Sequence, residues 1–487
     1  MRKLSNLWLY LIVTIAIVLR VLFFWHGHPF VFHPDEPTVV RSALEVRFYP
    51  NPGHFDWPHL YIYINYIVYM IFAFVRNILS TSGLVTEGPL FDETTIFYYL
   101  TRVLSGVLGG LTVIPVYLTA KTFFNSSRVG LLAGLVIALM PLHVWNSHLA
   151  LIDVPMIFFV SWVLYFGAQI YTTRNLRYYI LAGIFVGLAA STKYHGAFSG
   201  IFIAVVHFID YKSFWKNLRE LYKAIIAGIV SLLGFLVGTP YALIDFTTFI
   251  RTDGPKGALW QFTNVGHVPF TTQVGKFIYN LFIRIPDDIG YTFAVVLVLG
   301  LIYFLFSKTF SKGLFLFYTM YLFLVFYISG FEKSRSHYLM ISYPFIAVVV
   351  GYMLEVVSVK FSKVIKYLVL FLVFIVPLGI SIWQNYILSK EDTRVQLYHW
   401  VLRQGVVNNS YNYSSNNLNI IWDKISTNNV NRVLESSYLP SSSSYYIISE
   451  EDSVTALDKF NDLPGTVKTL ETFSPINRRG PVILIAQ

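Results

Sequence analysis

Apolar residues along this chain gather into long uncharged runs separated by shorter polar segments. Measured against the roughly 20 residues that a spanning helix needs, runs at 7–25, 97–120, 129–147, 154–171, 224–244, 291–306, 313–331, 338–354 and 367–384 predict membrane-crossing helices. Two shorter runs, 178–192 and 196–209, flank Lys193, Tyr194 and His195 and predict a helical pair turning near the outer face, for eleven spans in all. The middle of segment 26–96, Leu60 to Leu79, is also apolar, with Tyr61, Tyr63, Tyr66 and Tyr69 along it. It is read as a re-entrant or surface-lying helix, because counting it as a span inverts the charge bias over the first half of the chain.

Beyond residue 384 the pattern changes. The sequence turns to Asn, Ser and charged residues, and the apolar runs shorten to strand length at Leu418 to Trp422, Tyr445 to Ile448 and Val482 to Ile485, after an amphipathic helical stretch at Val395 to Val401. Polar tracts at Asn408 to Asn419 and Ser441 to Ser444 read as loops. The expected organisation is a membrane domain over 1–384, with external loops at 26–96 and 245–290, followed by a small extracytoplasmic α/β domain over 385–487.

Composition agrees with a polytopic membrane protein: of 487 residues, 55% are hydrophobic and only 13% charged, with a mean hydropathy of +0.58. Segments assigned to the cytoplasm hold 15 Lys and Arg in 52 residues, against 10 in 132 on the other side, which places the N-terminus inside and the tail outside. The net charge of +10 therefore needs no nucleic-acid partner; the basic loops fix topology and meet anionic membrane lipid. Arg2 and Lys3 precede the first run, but no small-residue cleavage site follows it, so it is kept as a helix rather than a signal peptide. The absence of cysteine excludes disulfides and thiolate metal sites, and in a chain with large external parts it favours a prokaryotic plasma membrane.

In so charge-poor a chain, carboxylates at the membrane edge are candidates for chemistry. Asp35 and Glu36 stand between Pro34 and Pro37, just after the first span. Asp35 is placed as a helix N-cap, which would keep it ionised and able to take a proton from a hydroxyl; capping alone is its plainer role. Asp153 repeats this placement before the span at 154–171, while His143 and His148 near it read as structural. Lys193 lies at the outer edge between Thr192 and Tyr194, where snorkelling is the ordinary reading. Glu332, Lys333, Arg335 and His337 form a short external turn before Tyr338, and Arg335 suits forked contact with phosphate. Cations that hold a lipid phosphate, opposite a carboxylate that takes a proton, are what a lipid-phosphate leaving group needs.

One span, then His33 to Pro37, then Trp57, Pro58, His59, Leu60 and Tyr61, the Asp153 turn, Thr192 to Tyr194 and Arg335 to Pro344 occur in an order that resembles the GT-C class of membrane glycosyltransferases. It is most similar to the protein O-mannosyltransferase and lipid A aminoarabinose transferase relatives. The resemblance implies a GT-C-like polytopic α-helical fold and transfer of a sugar from a polyprenyl phosphate to a protein, glycan or lipid acceptor, with inversion, on the extracytoplasmic face. It assigns the catalytic base to Asp35, its acidic partner to Glu36, the second external carboxylate to Asp153 and the basic residue to Lys193. With Arg335 and His337, Lys193 is expected at the donor phosphate; His33, Trp57, His59, Tyr61, Tyr194 and Tyr338 are expected at the substrate loops. The family usually has two prolines where this chain has Pro58 and His59. No metal-ligand spacing is visible, and a phosphate leaving group does not need the metal that a nucleotide diphosphate does, so metal-independent turnover is expected. A transporter or flippase of lipid-linked sugars is the main alternative. Transport sites, however, lie near the bilayer midplane between broken helices, and here the polar residues gather at one face. A scaffold would leave the carboxylates unexplained.

Overall fold

The computed structural model describes residues 2–82, 95–209, 214–306, 311–359 and 362–404, then shorter stretches at 410–413, 418–422, 430–432, 444–450, 469–475 and 478–486. Two compact units emerge, Met1–Leu22 with Asp35–Ile382, and Phe23–Pro34 with Trp383–Gln487. The second unit thus takes up residues 23–34, which straddle the end of the first apolar run and the start of the first external loop.

The first unit is built of helices: α1 (Arg2–Val21), α2 (Glu36–Glu45), α3 (Leu60–Thr81), α4 (Thr95–Leu111), α5 (Val113–Phe124), α6 (Ser127–Leu139), α7 (Pro141–Asn146), α8 (Asp153–Thr173), α9 (Leu176–Thr192), α10 (Ser199–Phe208), α11 (Phe214–Arg219) and α12 (Leu221–Gly238), followed by shorter pieces and by Tyr291–Phe306, Lys312–Ser329, Tyr343–Val359 and Lys363–Leu388. Among the described residues seven helices are long and apolar enough to cross a membrane. One of them is α3, an uninterrupted helix of 22 residues. Five further apolar helices of 10–17 residues fall on other expected spans.

Three apolar runs that read as straight spans are broken, each at a proline. Pro115 cannot donate to the turn before it, and the run divides at Thr112 into α4 and α5. The residues before Pro141 and Pro240, Met140 and Thr239, leave the helical region, which ends α6 and α12. Packing between helices depends on small residues. A Cβ at Gly187 on α9 would collide with the Ser231 carbonyl of α12, so only glycine allows this approach.

In the second unit β1 (Ser410–Tyr413), β2 (Val430–Arg432), β3 (Ser444–Glu450), β4 (Thr469–Phe473) and β5 (Val482–Ala486) form one sheet in the order β2-β1-β3-β5-β4, parallel on the β1 side and antiparallel around β5. Helix Thr393–Gln404 covers it, with Trp400 against Tyr445. Phe30 packs on Tyr398 and the Arg394 guanidinium lies 3.6 Å over Phe32, which ties residues 23–34 into this unit. Two readings of the tail are corrected here: Asn419–Trp422 is a short helix rather than a strand, and Ser410–Tyr413, inside an expected loop, is β1. Ser441 to Ser443 lie outside the described residues.

Candidate functional site

Within the first unit a cavity of about 380 Å³ is bounded by the N-terminus of α2, residues 56–58 before α3, the turn at 151–153, the end of α9 and the segments 261–265 and 331–338. It brings together Asp35, Trp57, Asp153, Lys193, Tyr194, Arg335, His337 and Tyr338 from distant parts of the chain. Asp35 occupies the N-cap position of α2, but its side chain makes no capping hydrogen bond. Its carboxylate is therefore not held by the helix end that the sequence suggested for it.

Asp153 opens α8 and accepts a 2.6 Å hydrogen bond from Lys193 Nζ. Both side chains are largely buried, so at this distance the charges cancel locally and Lys193 brings little net positive charge to the cavity. The ammonium also lies 4.8 Å from the centre of the Tyr338 ring, on which His195 stacks. Lys193 and Asp153 thus fix one wall, leaving exposed Lys333 and Arg335 as the cationic side of the cavity.

Glu36 does not reach the cavity. Its carboxylate is fully buried and forked onto Arg102, Nε to Oε1 at 2.7 Å and Nη2 to Oε2 at 2.8 Å, and Oε1 also accepts from the Ala150 amide. It ties the start of α2 to α4 and to the turn that carries Asp153. His33 belongs to the second unit, whereas the cavity is formed within the first. His59 is buried, stacked on Phe55 and donating from Nε2 to the His54 carbonyl. Burial pushes its pKa down to about 4, so the ring stays neutral. Tyr61 is buried as well, and its hydroxyl donates to the Thr101 carbonyl. Both hold the loop rather than line the cavity.

An apolar groove of about 560 Å³ runs between α9, α10 and α12, floored by Gly183, Gly187, Ala190 and Ala227. Tyr194 and Phe262 line both groove and cavity. Among the described residues no three His, Asp or Glu side chains converge as a metal site would require. The cavity's cations could hold an anion instead.

Residues 90–241, from just before α4 to the end of α12, match the family model for dolichyl-phosphate-mannose-protein mannosyltransferase. Over 161 residues, 32% of this chain and 20% of the relative, the sequence is 30% identical to dolichyl-phosphate-mannose–protein mannosyltransferase 1 of Saccharomyces cerevisiae. It is 27% identical over 140 residues to mannosyltransferase 5 of the same yeast, covering 27% of this chain and 19% of that one. The chain spans about a fifth of the length of these curated relatives. The crystal structure of ArnT from Cupriavidus metallidurans bound to undecaprenyl phosphate superposes with a TM-score of 0.57 over 98% of both chains, at 12% identity. The fold is that of ArnT.

On this fold the cavity also presents residues that the sequence did not single out as site residues: Asp56, His195, Gln261, Asn264 and Lys333. Lys333 stood in a recognised turn beside Arg335, and Asp56 stood next to Trp57, so proximity to a chosen residue was the available signal. Gln261 and Asn264 lie on the short helix Ala258–Val265, whose position depends on backbone pairing of 265–267 with 331–333, which no local pattern announces.

Proposed function

We propose that this protein is an inverting glycosyltransferase that moves a sugar from a polyprenyl phosphate to an acceptor hydroxyl on the extracytoplasmic face. The observation that carries the reading is the joining of a polar cavity, lined by Asp35, Lys333 and Arg335, to an apolar groove through Tyr194 and Phe262. A donor with a prenyl tail and a charged head needs both environments side by side. The fold and the mannosyltransferase relatives agree with it.

Asp35 takes the proton of the acceptor hydroxyl as its oxygen attacks the anomeric carbon. The bond from that carbon to the phosphate oxygen breaks with inversion, and the polyprenyl phosphate leaves carrying the electron pair. Arg335 and Lys333 stabilise the charge that develops on it, with His337 beside them. Lys193, paired with Asp153, orients this wall more than it supplies charge.

The extracytoplasmic side rests on the charge bias: the excess of Lys and Arg falls in the segments assigned to the cytoplasm, and Asp35, Asp153, Lys193 and Arg335 fall in segments on the other side.

The test is release of polyprenyl phosphate from labelled polyprenyl-phosphate sugars by the purified chain in lipid, dolichyl-phosphate mannose first, with and without EDTA. Release by wild type and its loss in Asp35→Asn supports the reading. Labelled lipid crossing the bilayer without release replaces it with translocation.

A further inference from the structure

Asp56 lines the cavity, and the mechanism above gives it no task. Its carboxylate ends a chain of three side chains. Ser42 Oγ lies 2.9 Å from His54 Nε2, and His54 Nδ1 lies 2.7 Å from Asp56 Oδ1. A carboxylate oxygen accepts, so Nδ1–H donates to Asp56, and the other ring nitrogen shares a hydrogen bond with the Ser42 hydroxyl. The order is that of a hydrolase triad, but Ser42 is buried on α2 and absent from the cavity wall, so it is no nucleophile. The chain runs the other way, from the scaffold toward Asp56.

The backbone around Asp56 is fixed as firmly as its side chain. The Phe55 amide donates to the Lys256 carbonyl at 2.7 Å, Tyr194 donates its hydroxyl to the Phe55 carbonyl at 2.6 Å, and His59 holds the His54 carbonyl. A group held to one orientation before ligand arrives loses little freedom on binding. His54 takes one carboxylate oxygen, and a carboxylate has a second.

The chemistry of this position selects its ligand. A carboxylate repels phosphate and has no use for a prenyl chain, but it accepts strongly from hydroxyls. Trp57 beside it lines the same cavity and offers the apolar face that a sugar ring needs. Because Tyr194 both anchors this loop and lines the groove, the loop stands on the donor's side.

We propose that Asp56, oriented by His54 and Ser42 as positioning residues, accepts hydrogen bonds from hydroxyls of the transferred sugar and so sets which donor is used. This inference rests on the polyprenyl-phosphate-sugar reading above. The experiment compares kcat/KM for dolichyl-phosphate mannose and for donors lacking one sugar hydroxyl each, using the full chain in lipid.

Wild type is expected to prefer mannose over at least one deoxy donor by about 100-fold or more, since a site built around a hydroxyl strongly rejects its absence. Asp56→Asn lowers that one ratio at least tenfold. Ser42→Ala and His54→Ala shift the same ratio in the same direction while leaving Asp56 in place, and Ser42→Thr restores it. These variants carry the test if Asp56→Asn fails to fold. A common factor on all donors, or none, in every variant overturns the inference and leaves the donor reading standing. No turnover of any donor by wild type overturns both.

Discussion

Replacing Glu36 by Gln separates a scaffolding carboxylate from a reacting one. The side chain is 0% exposed, its Arg102 partner 1%, and the pair is forked with a further bond from the Ala150 amide. Removing one member of such a pair leaves an uncompensated buried charge, at about 3–5 kcal/mol. That is roughly a hundred- to several-thousand-fold in the ratio of folded to unfolded protein. The expected result is a large fall in melting temperature in lipid nanodiscs, followed by tryptophan fluorescence. Turnover should fall with the folded fraction and through displacement of Asp35 and the Asp153 turn. The double variant Glu36→Met with Arg102→Met should regain most of the lost stability, because apolar replacement of a whole buried pair is close to neutral. If Glu36→Gln melts like wild type yet loses turnover, Glu36 acts chemically and the scaffolding argument fails.

Three further outcomes follow from the geometry. Asp35→Asn, which keeps the side chain's shape, should reduce kcat by roughly 10² to 10⁴, far beyond any loss of folded protein; turnover that falls only in proportion to a loss of stability would return Asp35 to a structural role. Gly228→Trp should fill the groove without disturbing the fold, because a Cβ there meets nothing within 4 Å; KM should rise for long-chain donors but not for two-isoprene donors, and equal effects on both would remove the groove from the reading. Asp288 is held in its acid form by burial, which pushes its pKa up to about 7 against the pull of nearby Tyr343, Ser336 and Arg284. The folded chain then binds a proton that the unfolded chain releases near pH 4, so stability falls as pH rises between about 4 and 7. Asp288→Asn, which cannot ionise, should melt higher than wild type at pH 8 relative to pH 5, and identical pH profiles would refute this.

The helical, membrane-spanning character of the chain could be read from its apolar runs because burial in lipid demands continuity over a known length. Interruptions within the runs were harder to place. Pro115, Pro141 and Pro240 break helices, yet Pro377 sits inside Lys363–Leu388 without ending it, so proline alone does not decide. The tail was misread at Asn419–Trp422 because a short apolar stretch fits a buried strand and a single helical turn equally well. At the site, residue types at the membrane edge pointed toward one cavity, but pairing could not be seen. Glu36 joins Arg102 across 66 positions and Lys193 joins Asp153 across 40, and these partners decide which carboxylate faces the cavity and which cation keeps its charge. Asp56 is hidden in the sequence because Ser42 meets His54, two residues before it, only when the loop folds onto α2.

Tyr194 has a consequence beyond its place in two walls. Its ring borders the groove, and its hydroxyl holds the carbonyl immediately before Asp56. Anything that displaces the ring when a chain enters the groove therefore changes the energy of the loop at the sugar end. By thermodynamic reciprocity, a head group settled against Asp56 changes the affinity for the tail by the same factor. Lipid length and sugar identity are on that account not independent selections, and a donor matched at only one end forfeits more than the contacts missing at the other.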